Sequence, residues 1–425
     1  MILTSVFEHF RDVCLQADKR DIDPMTSQIV VVEKGNYKLD PAHYVSAPHL
    51  SWDAMMKLTG CKLDLISDPA MFEMIDAGMR GGVCMISQRY SKANNKYMGQ
   101  LYDPTRPSVF IPYLDANNLY GWAMSQPLPS HSFAWLTEAE WKGIDWKQQT
   151  TEQMTGFFIE CDLEYPPILH EEHNDYPLGP ERIAIDMNMV SDKQLQILRH
   201  YDRTRTKQNV KLVPNLNNKP KYCLHSLLLK FYLEHGLILS KIHRVISFKQ
   251  SRWLAPYIDL NSQRRSRAKN EFDKDFFKLM NNCIYGKTIE NQKKRSDIRL
   301  VTSRREAEPL VNKPHCLDFR AFDESTAAIE LRKVICRIDK PFYVGFTVLE
   351  LSKLHMYRFH YNVIKPKYGE KARLLFTDTD SLMYEIETGD YYQDMWDMRE
   401  YFDLSEFPTQ SPFLDLTNKK VHISV

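Results

Sequence analysis

The spacing of apolar and polar residues changes several times along the chain, and the changes divide it into elements. Residues 1–15 and 50–80 carry apolar residues at helical spacing, and the second stretch is predicted to open after Ser51 with Asp53 in its first turn. A connector containing Gly, Asn and Lys follows over 80–100. Residues 108–115 form an apolar run that reads as a strand ending at the carboxylate of Asp115. Residues 156–165 alternate as a second strand, with Glu160, Asp162 and Glu164 on its solvated face. Segment 170–180 reads as a Pro-, His- and Asn-containing loop that leaves His170 and His173 at the surface. Helical spacing dominates 191–240, and Pro256 marks a turn before a helical stretch from about 261 to 290. Residues 297–345 show no regular period and 346–362 read as helix. The segment 372–386 then reads strand, turn, strand, with Asp378 and Asp380 at the turn. Helices and strands do not alternate and no Rossmann-type Gly fingerprint occurs, so the class is α+β.

With 425 residues the chain exceeds what one hydrophobic core spans, so two or more subdomains are expected. No apolar run approaches the roughly 18–20 residues needed to cross a bilayer, so no membrane partner is expected. The N-terminus lacks the basic start and cleavage site of a signal peptide, which points to an intracellular protein. The eight cysteines are never closer than 20 residues, which leaves no CxxC half-site for zinc. Reduced and mostly buried thiols are expected. The net charge of +1 hides a segregation. Residues 201–305 hold 24 Lys+Arg against 8 Asp+Glu, and the rest of the chain holds 32 against 47. Such a block suits a polyanion-binding surface, and equally a solvated basic face.

Three short segments carry chemistry. Asp378 and Asp380, at i and i+2, project to one side of a hairpin tip, where like charges repel unless a cation lies between them. Their hard oxygens suit Mg²⁺, which keeps waters and takes its other ligands from phosphates. Asp115 could join them from a neighbouring strand, and three carboxylates could hold two metal ions about 3.5–4 Å apart. Each carboxylate taken alone also fits a turn or cap. On a helix, Lys278, Asn282 and Tyr285 share one face with Lys274 a turn earlier, presenting a cation and a ring.

These segments read Asp115…Asn118-Leu119-Tyr120-Gly121, Lys278…Asn282-Cys283…Tyr285-Gly286 and Asp378-Thr379-Asp380-Ser381. They resemble the three polymerase motifs of family B DNA polymerases, D-x-x-S-L-Y-P, K-x-x-x-N-S-x-Y-G and D-T-D-S, with departures at 118, 121 and 283. Arg80-Gly81-Gly82, preceded by Met79 where the family has Tyr two places before the glycines, is similar to the Y-x-G-G segment of the protein-primed branch. Ser125-Gln-Pro-Leu-Pro129 and the gaps of 163 and 100 residues between motifs also suit that branch, and Maverick/Polinton-like enzymes in particular.

The resemblance implies a palm with an antiparallel sheet, helical fingers and two insertions. It implies template-directed addition of dNTPs to a 3′-hydroxyl with two Mg²⁺ ions, on a DNA template-primer that a terminal protein could prime. Asp115 and Asp380 would be the main metal ligands, with Asp378 in support. Tyr120 would lie under the deoxyribose, Lys278 and Lys274 would meet the triphosphate, and Asn282 and Tyr285 would complete the nucleotide site. Arg265 or Arg267 could also close on the phosphates. Gly81, Gly82 and the run Lys293, Lys294 and Arg295 would contact DNA. The expected division is 1–107 helical, 108–126 palm, 127–250 insertion and palm elements, 251–292 fingers, 293–345 second insertion and 346–425 palm. Val6 to Arg11 resembles the end of the helix after the third exonuclease motif. A proofreading exonuclease and a thumb are therefore expected to be missing, and residues 17–36 to be an extra stretch. A non-catalytic nucleic-acid-binding remnant and a two-metal nuclease are the alternatives, and the nuclease gives no role to the Lys278 stripe.

Overall fold

The computed structural model describes residues 37–201, 210–292, 295–335 and 338–419. The helix expected over 1–15, the stretch 17–36 and the cations Lys293 and Lys294 lie outside the described residues. In chain order the strands are β1 (Cys84–Ile86), β2 (Val109–Phe110), β3 (Tyr113–Asp115), β4 (Leu128–Trp135), β5 (Thr155–Glu164), β6 (Glu181–Ala184), β7 (Val210–Val213), β8 (Lys219–His225), β9 (Ile238–Ser251), β10 (Ser296–Val301), β11 (Cys316–Ala321), β12 (Ala327–Arg332), β13 (Ala372–Asp378) and β14 (Ser381–Glu387). Pairing between these strands is antiparallel throughout. One sheet runs β1-β13-β14-β2 with β3 also on β14, a second runs β4-β9-β5-β8, and a third β10-β12-β11. The helices that position the site are α1 (Ala47–Thr59), α2 (Pro69–Gly78), α3 (Leu119–Met124), α4 (Ser226–Glu234), α5 (Ala255–Arg267), α6 (Glu271–Thr288) and α7 (Phe342–Arg358).

Helix α7 explains why the sheets and helices form one body. Every residue from Phe342 to Tyr357 is buried, including Glu350, Lys353 and His355. A helix enclosed on all faces belongs at the centre of a protein, and α7 packs on α2, α3, α4, α6, β4 and β8. One continuous cluster of buried apolar side chains joins α1 and α2 to the first two sheets and to α5–α7. The β10–β12 sheet has a small core of its own around Val301, Ile329 and Leu331. Buried polar bonds fix α1, α5 and α6 side by side. Ser51 donates to the Met280 carbonyl at 2.6 Å, and the Asn261 amide donates to Asn281 at 2.8 Å.

Several expectations are corrected here. The stretch 50–80 is two helices, because Gly60 at φ +58° takes the left-handed conformation that ends α1. Ser51 is not the opening of that helix: α1 starts at Ala47, and Ser51 is buried within it. The connector 80–100 contains β1, and the strand over 108–115 is split into β2 and β3 around Pro112. Pro256 lies in the first turn of α5, where its missing N–H costs nothing, and α5 and α6 divide the expected long helix. Over 191–240 strands compete with helices. Four successive residues of β8, Tyr222 to His225, are buried, and such a run lacks the alternation that marks a strand. The stretch 297–345 is not irregular, since it holds the third sheet and a helix, Arg304–Val311.

Segment 170–180 is not a surface loop. His173 is 2% exposed and bonds to the Tyr165 hydroxyl at 2.9 Å, and burial lowers its pKa to about 4. His170 is half-buried. Asp175 in this segment lies 3.3 Å from the Lys365 ammonium and 3.6 Å from His360.

Candidate active site

The site begins at the β13–β14 hairpin, where apolar residues on alternate positions bury one face and leave a two-residue tip. Asp378 pairs with Ser381, and the Asp380 N–H donates to the Asp378 carbonyl at 2.6 Å. Between them Thr379 adopts φ +57°, a conformation that β-branched residues avoid. The neighbouring segment holds it there. The Thr379 N–H donates to the Val83 carbonyl at 2.9 Å. A Cβ on Gly82 would stand 2.5 Å from Thr379 Cγ2, so only glycine admits this approach. Cys84 then pairs with Asp378 in β1–β13, and its thiol donates to Asp378 Oδ1 at 2.8 Å.

Strand β3 brings the third carboxylate. Asp115 is in register with Ser381, and the Ala116 N–H donates to the Asp380 carbonyl at 2.7 Å. Residues more than 260 positions apart therefore share one sheet. Burial raises the Asp115 carboxyl, and the Asp380 charge raises it further. Burial likewise raises Asp380, which also feels Asp378. The Lys278 ammonium pulls both down, so its charge on α6 reaches both carboxylates.

Helix α6 is capped by Asn270, whose side chain accepts from Asp273 N–H at 2.8 Å. Its exposed stripe carries Lys278 and Asn282, while Cys283 is buried on another face with its thiol pushed up to about 11. Tyr285 stacks on Tyr120, with ring centroids 4.5 Å apart and planes at 10°. Burial raises both phenols, and the Asp380 charge also acts on Tyr120. Lys274 is ion-paired with Glu271 at 2.6 Å. The departures at 118 and 121 are coupled. Asn118 sits at φ +53° ahead of α3, and its side-chain amide fills the space a Cβ on residue 121 would need, at 2.1 Å.

Among the described residues, no group of three His, Cys, Asp or Glu side chains stands ready as a metal cluster. Asp115 and Asp380 interact, as do Asp378 and Asp380, while Asp378 has turned one oxygen to Cys84. Two partly desolvated carboxylates of like charge suit a hard divalent cation that completes its shell with water and phosphate.

The other expected residues fall in distinct places. Gly82 abuts the hairpin tip, and Gly81 has nothing within 4 Å of where a Cβ would be. Arg295 is ion-paired with Glu290. Glu160 takes a two-pronged bond from Arg244, and Asp162 bonds to His243 at 2.8 Å, while Glu164 is exposed. The basic block is thus partly consumed within the fold, as also by the fully buried Lys219 ammonium on Glu181 at 2.9 Å. Arg265, Arg267 and Lys278 make no ion pair among the described residues. The six described cysteines are unpaired, and Cys161, Cys223 and Cys283 are buried. No helix among the described residues is long and apolar enough to cross a membrane. Sequence reasoning named Arg80 only as part of the Gly81-Gly82 segment and missed Glu350 and Lys353; all three are buried. A charged triplet spacing inside an otherwise apolar helix, Glu350 to Lys353, was the available signal.

A family model described as DNA polymerase type B, organellar and viral, matches residues 45–330, which takes in Asp115, Tyr120 and α6. Among solved structures, phi29 DNA polymerase with primer-template DNA and incoming nucleotides is 16% identical, with a TM-score of 0.48. The similarity covers 88% of this chain and 54% of that one. The phi29 polymerase complex with primer-template DNA alone is 14% identical, with a TM-score of 0.46 and coverage of 88% and 53%. The chain spans about half the length of these polymerases. Comparison with curated proteins finds no match.

Proposed function

The chain belongs to the organellar and viral type B DNA polymerases, and from that premise we propose that it adds deoxynucleotides to a primer 3′-hydroxyl under the direction of a DNA template. The observation that carries this reading is the meeting of Asp115, from β3, and Asp380, from the β13–β14 turn, within reach of the Lys278 charge and beside Tyr120. A nuclease needs the carboxylates but not the cation opposite them.

In this reading the first sheet is the palm and α5–α6 are the fingers. Asp115 and Asp380 would hold the divalent cations, and Asp378 would support Asp380. Two bound Mg²⁺ ions would supply activation of the 3′-hydroxyl and stabilisation of the leaving pyrophosphate. Lys278, exposed and without an ion pair among the described residues, would offset charge on the triphosphate as it builds. Tyr120, backed by the Tyr285 ring, would form a flat floor under the deoxyribose, where a 2′-hydroxyl has no room. Asn282 is exposed on the same α6 stripe as Lys278. Lys274 would have to leave Glu271 to reach a phosphate. Gly81 would let the template backbone pass close, and Lys293, Lys294 and Arg295 would contribute to the DNA track. Priming by a terminal protein is the mode that the protein-primed resemblance implies.

The test is incubation with a labelled primer-template, Mg²⁺ and one dNTP at a time. Addition of the templated nucleotide, lost in folded Asp115→Ala and Asp380→Ala variants, is expected. DNA binding without addition would instead identify a non-catalytic remnant, and Mg²⁺-dependent degradation without dNTP a nuclease. Full addition by either variant would reject the assignment.

A further inference from the structure

Directly behind the hairpin tip lies a set of buried charges that the reaction itself does not use. The Lys353 ammonium, on α7, donates to the carbonyls of Arg80 and Leu349, both at 2.9 Å, and lies 3.2 Å from Glu350 Oε1. Two carbonyls accept its N–H groups, and Glu350 supplies an opposite charge at ion-pair distance without accepting a hydrogen bond at Oε1. The Arg80 guanidinium lies 3.7 Å over the Tyr222 ring and donates to the carbonyls of Cys223 at 2.8 Å and Gly78 at 3.2 Å. Glu350 Oε2 accepts the His225 N–H at 3.3 Å. All three charged residues are buried, Glu350 completely. Apolar side chains would fill this volume at lower cost, since burying charge is offset only by well-placed partners. What the charges provide is a fixed path for the backbone at residue 80. Two residues later Gly82 meets Thr379, and the Val83 carbonyl takes the Thr379 N–H.

We propose that Arg80, Glu350 and Lys353 form a buried clamp that positions the Asp378–Asp380 turn, holding Thr379 in its left-handed conformation through Gly82 and Val83. They are positioning residues, and this role rests on the polymerase reading of that turn. The clamp also ties the turn to α7 and β8, so the carboxylates keep their place relative to the rest of the core.

The experiment uses Glu350→Gln/Lys353→Met, which removes both charges at nearly constant volume, and reads two quantities. Hydrogen exchange at Thr379 is followed in a peptide spanning 372–386, and single-turnover incorporation is measured on a primer-template. The clamp predicts exchange at Thr379 faster by at least about tenfold, with α5 and α6 unchanged. It predicts incorporation slower by on the order of 10- to 100-fold at unchanged half-saturating dNTP. Should this variant not fold, Arg80→Met leaves the Glu350–Lys353 pair intact and must show the same selective exchange. Unchanged exchange at Thr379 in a folded variant, or an equal rise across the whole chain, overturns the proposal. If the wild-type chain incorporates nothing, the polymerase reading fails while the exchange result still judges the clamp.

Discussion

Gly82→Ala should damage the site far more than it damages the fold. The added Cβ would stand 2.5 Å from Thr379 Cγ2 and Oγ1 and 2.8 Å from Thr379 Cβ, whereas ordinary contact begins at 3.4 Å. Either Thr379 or the 82 backbone must therefore yield by 3.4 minus 2.5, or 0.9 Å. Neither side can swing away freely, because Thr379 is at φ +57° and its N–H is bonded to Val83. Overpacking of this kind costs about 1–3 kcal/mol of stability, which a well-packed core survives. A shift of about 1 Å at a reacting centre costs on the order of 10²-fold in rate. Denaturant unfolding and single-turnover incorporation on the same protein measure the two effects. Gly81→Ala is the control: nothing lies within 4 Å of its Cβ position, so stability should not change. A Gly82→Ala protein that incorporates at the wild-type rate would refute the idea that close packing at residue 82 sets the turn.

Other consequences follow from the same geometry. Burial and the Asp380 charge raise the Asp115 carboxyl, and burial and the Asp378 charge raise that of Asp380, so ionisation of either opposes folding as pH rises from acid to neutral. Asp115→Asn or Asp380→Asn should raise the melting temperature at pH 7, with the gain closing as pH falls into the carboxylate range. A lower melting temperature at neutral pH would contradict this. Asp175 behaves oppositely. Burial would raise it, but the nearby His360 ring, the Lys365 charge and the Leu374 N–H hold it down at about 2. Its ionised form stabilises the fold above the unfolded carboxyl pKa, and that contribution is lost as pH falls toward 2. Asp175→Asn should cost about 2 kcal/mol at pH 7 and progressively less in acid, read by denaturant midpoints across pH. Gly121→Ala should be destabilising alone and much less so in an Asn118→Gly background, which clears the occupied space and tolerates the φ +53° backbone. A double-mutant cycle with no coupling would refute that contact.

The candidate site residues were easier to pick out of the sequence than the architecture around them. Asp378, Asp380, Asp115 and the Lys278 stripe stand out as residue types at fixed spacings, and two apolar runs flanking Asp378-Thr379-Asp380 mark the hairpin of 372–386. The register that sets Asp115 against Ser381 was not readable, because pairing across more than 260 positions leaves no local trace. Strand β8 passed for helix because burial on both faces erases alternation, and the β10–β12 sheet passed for irregular because its core is three residues deep. His173 was misplaced at the surface because a Pro- and Asn-containing segment suggested a solvent loop, whereas Tyr176 and Leu178 carry it into the core. Lys353 was overlooked although Glu350 three positions earlier in the same apolar stretch marks it as paired, because that spacing does not show that the Arg80 backbone meets it.

Manganese binding, followed by electron paramagnetic resonance titration of the wild type and of Asp115→Asn and Asp380→Asn, bears most directly on the shared acidic centre. The account predicts that either substitution weakens binding at the same site by at least about tenfold, because each removes one of two cooperating carboxylates. Undiminished binding in the Asp115→Asn protein would show that β3 and the hairpin tip do not act on one cation.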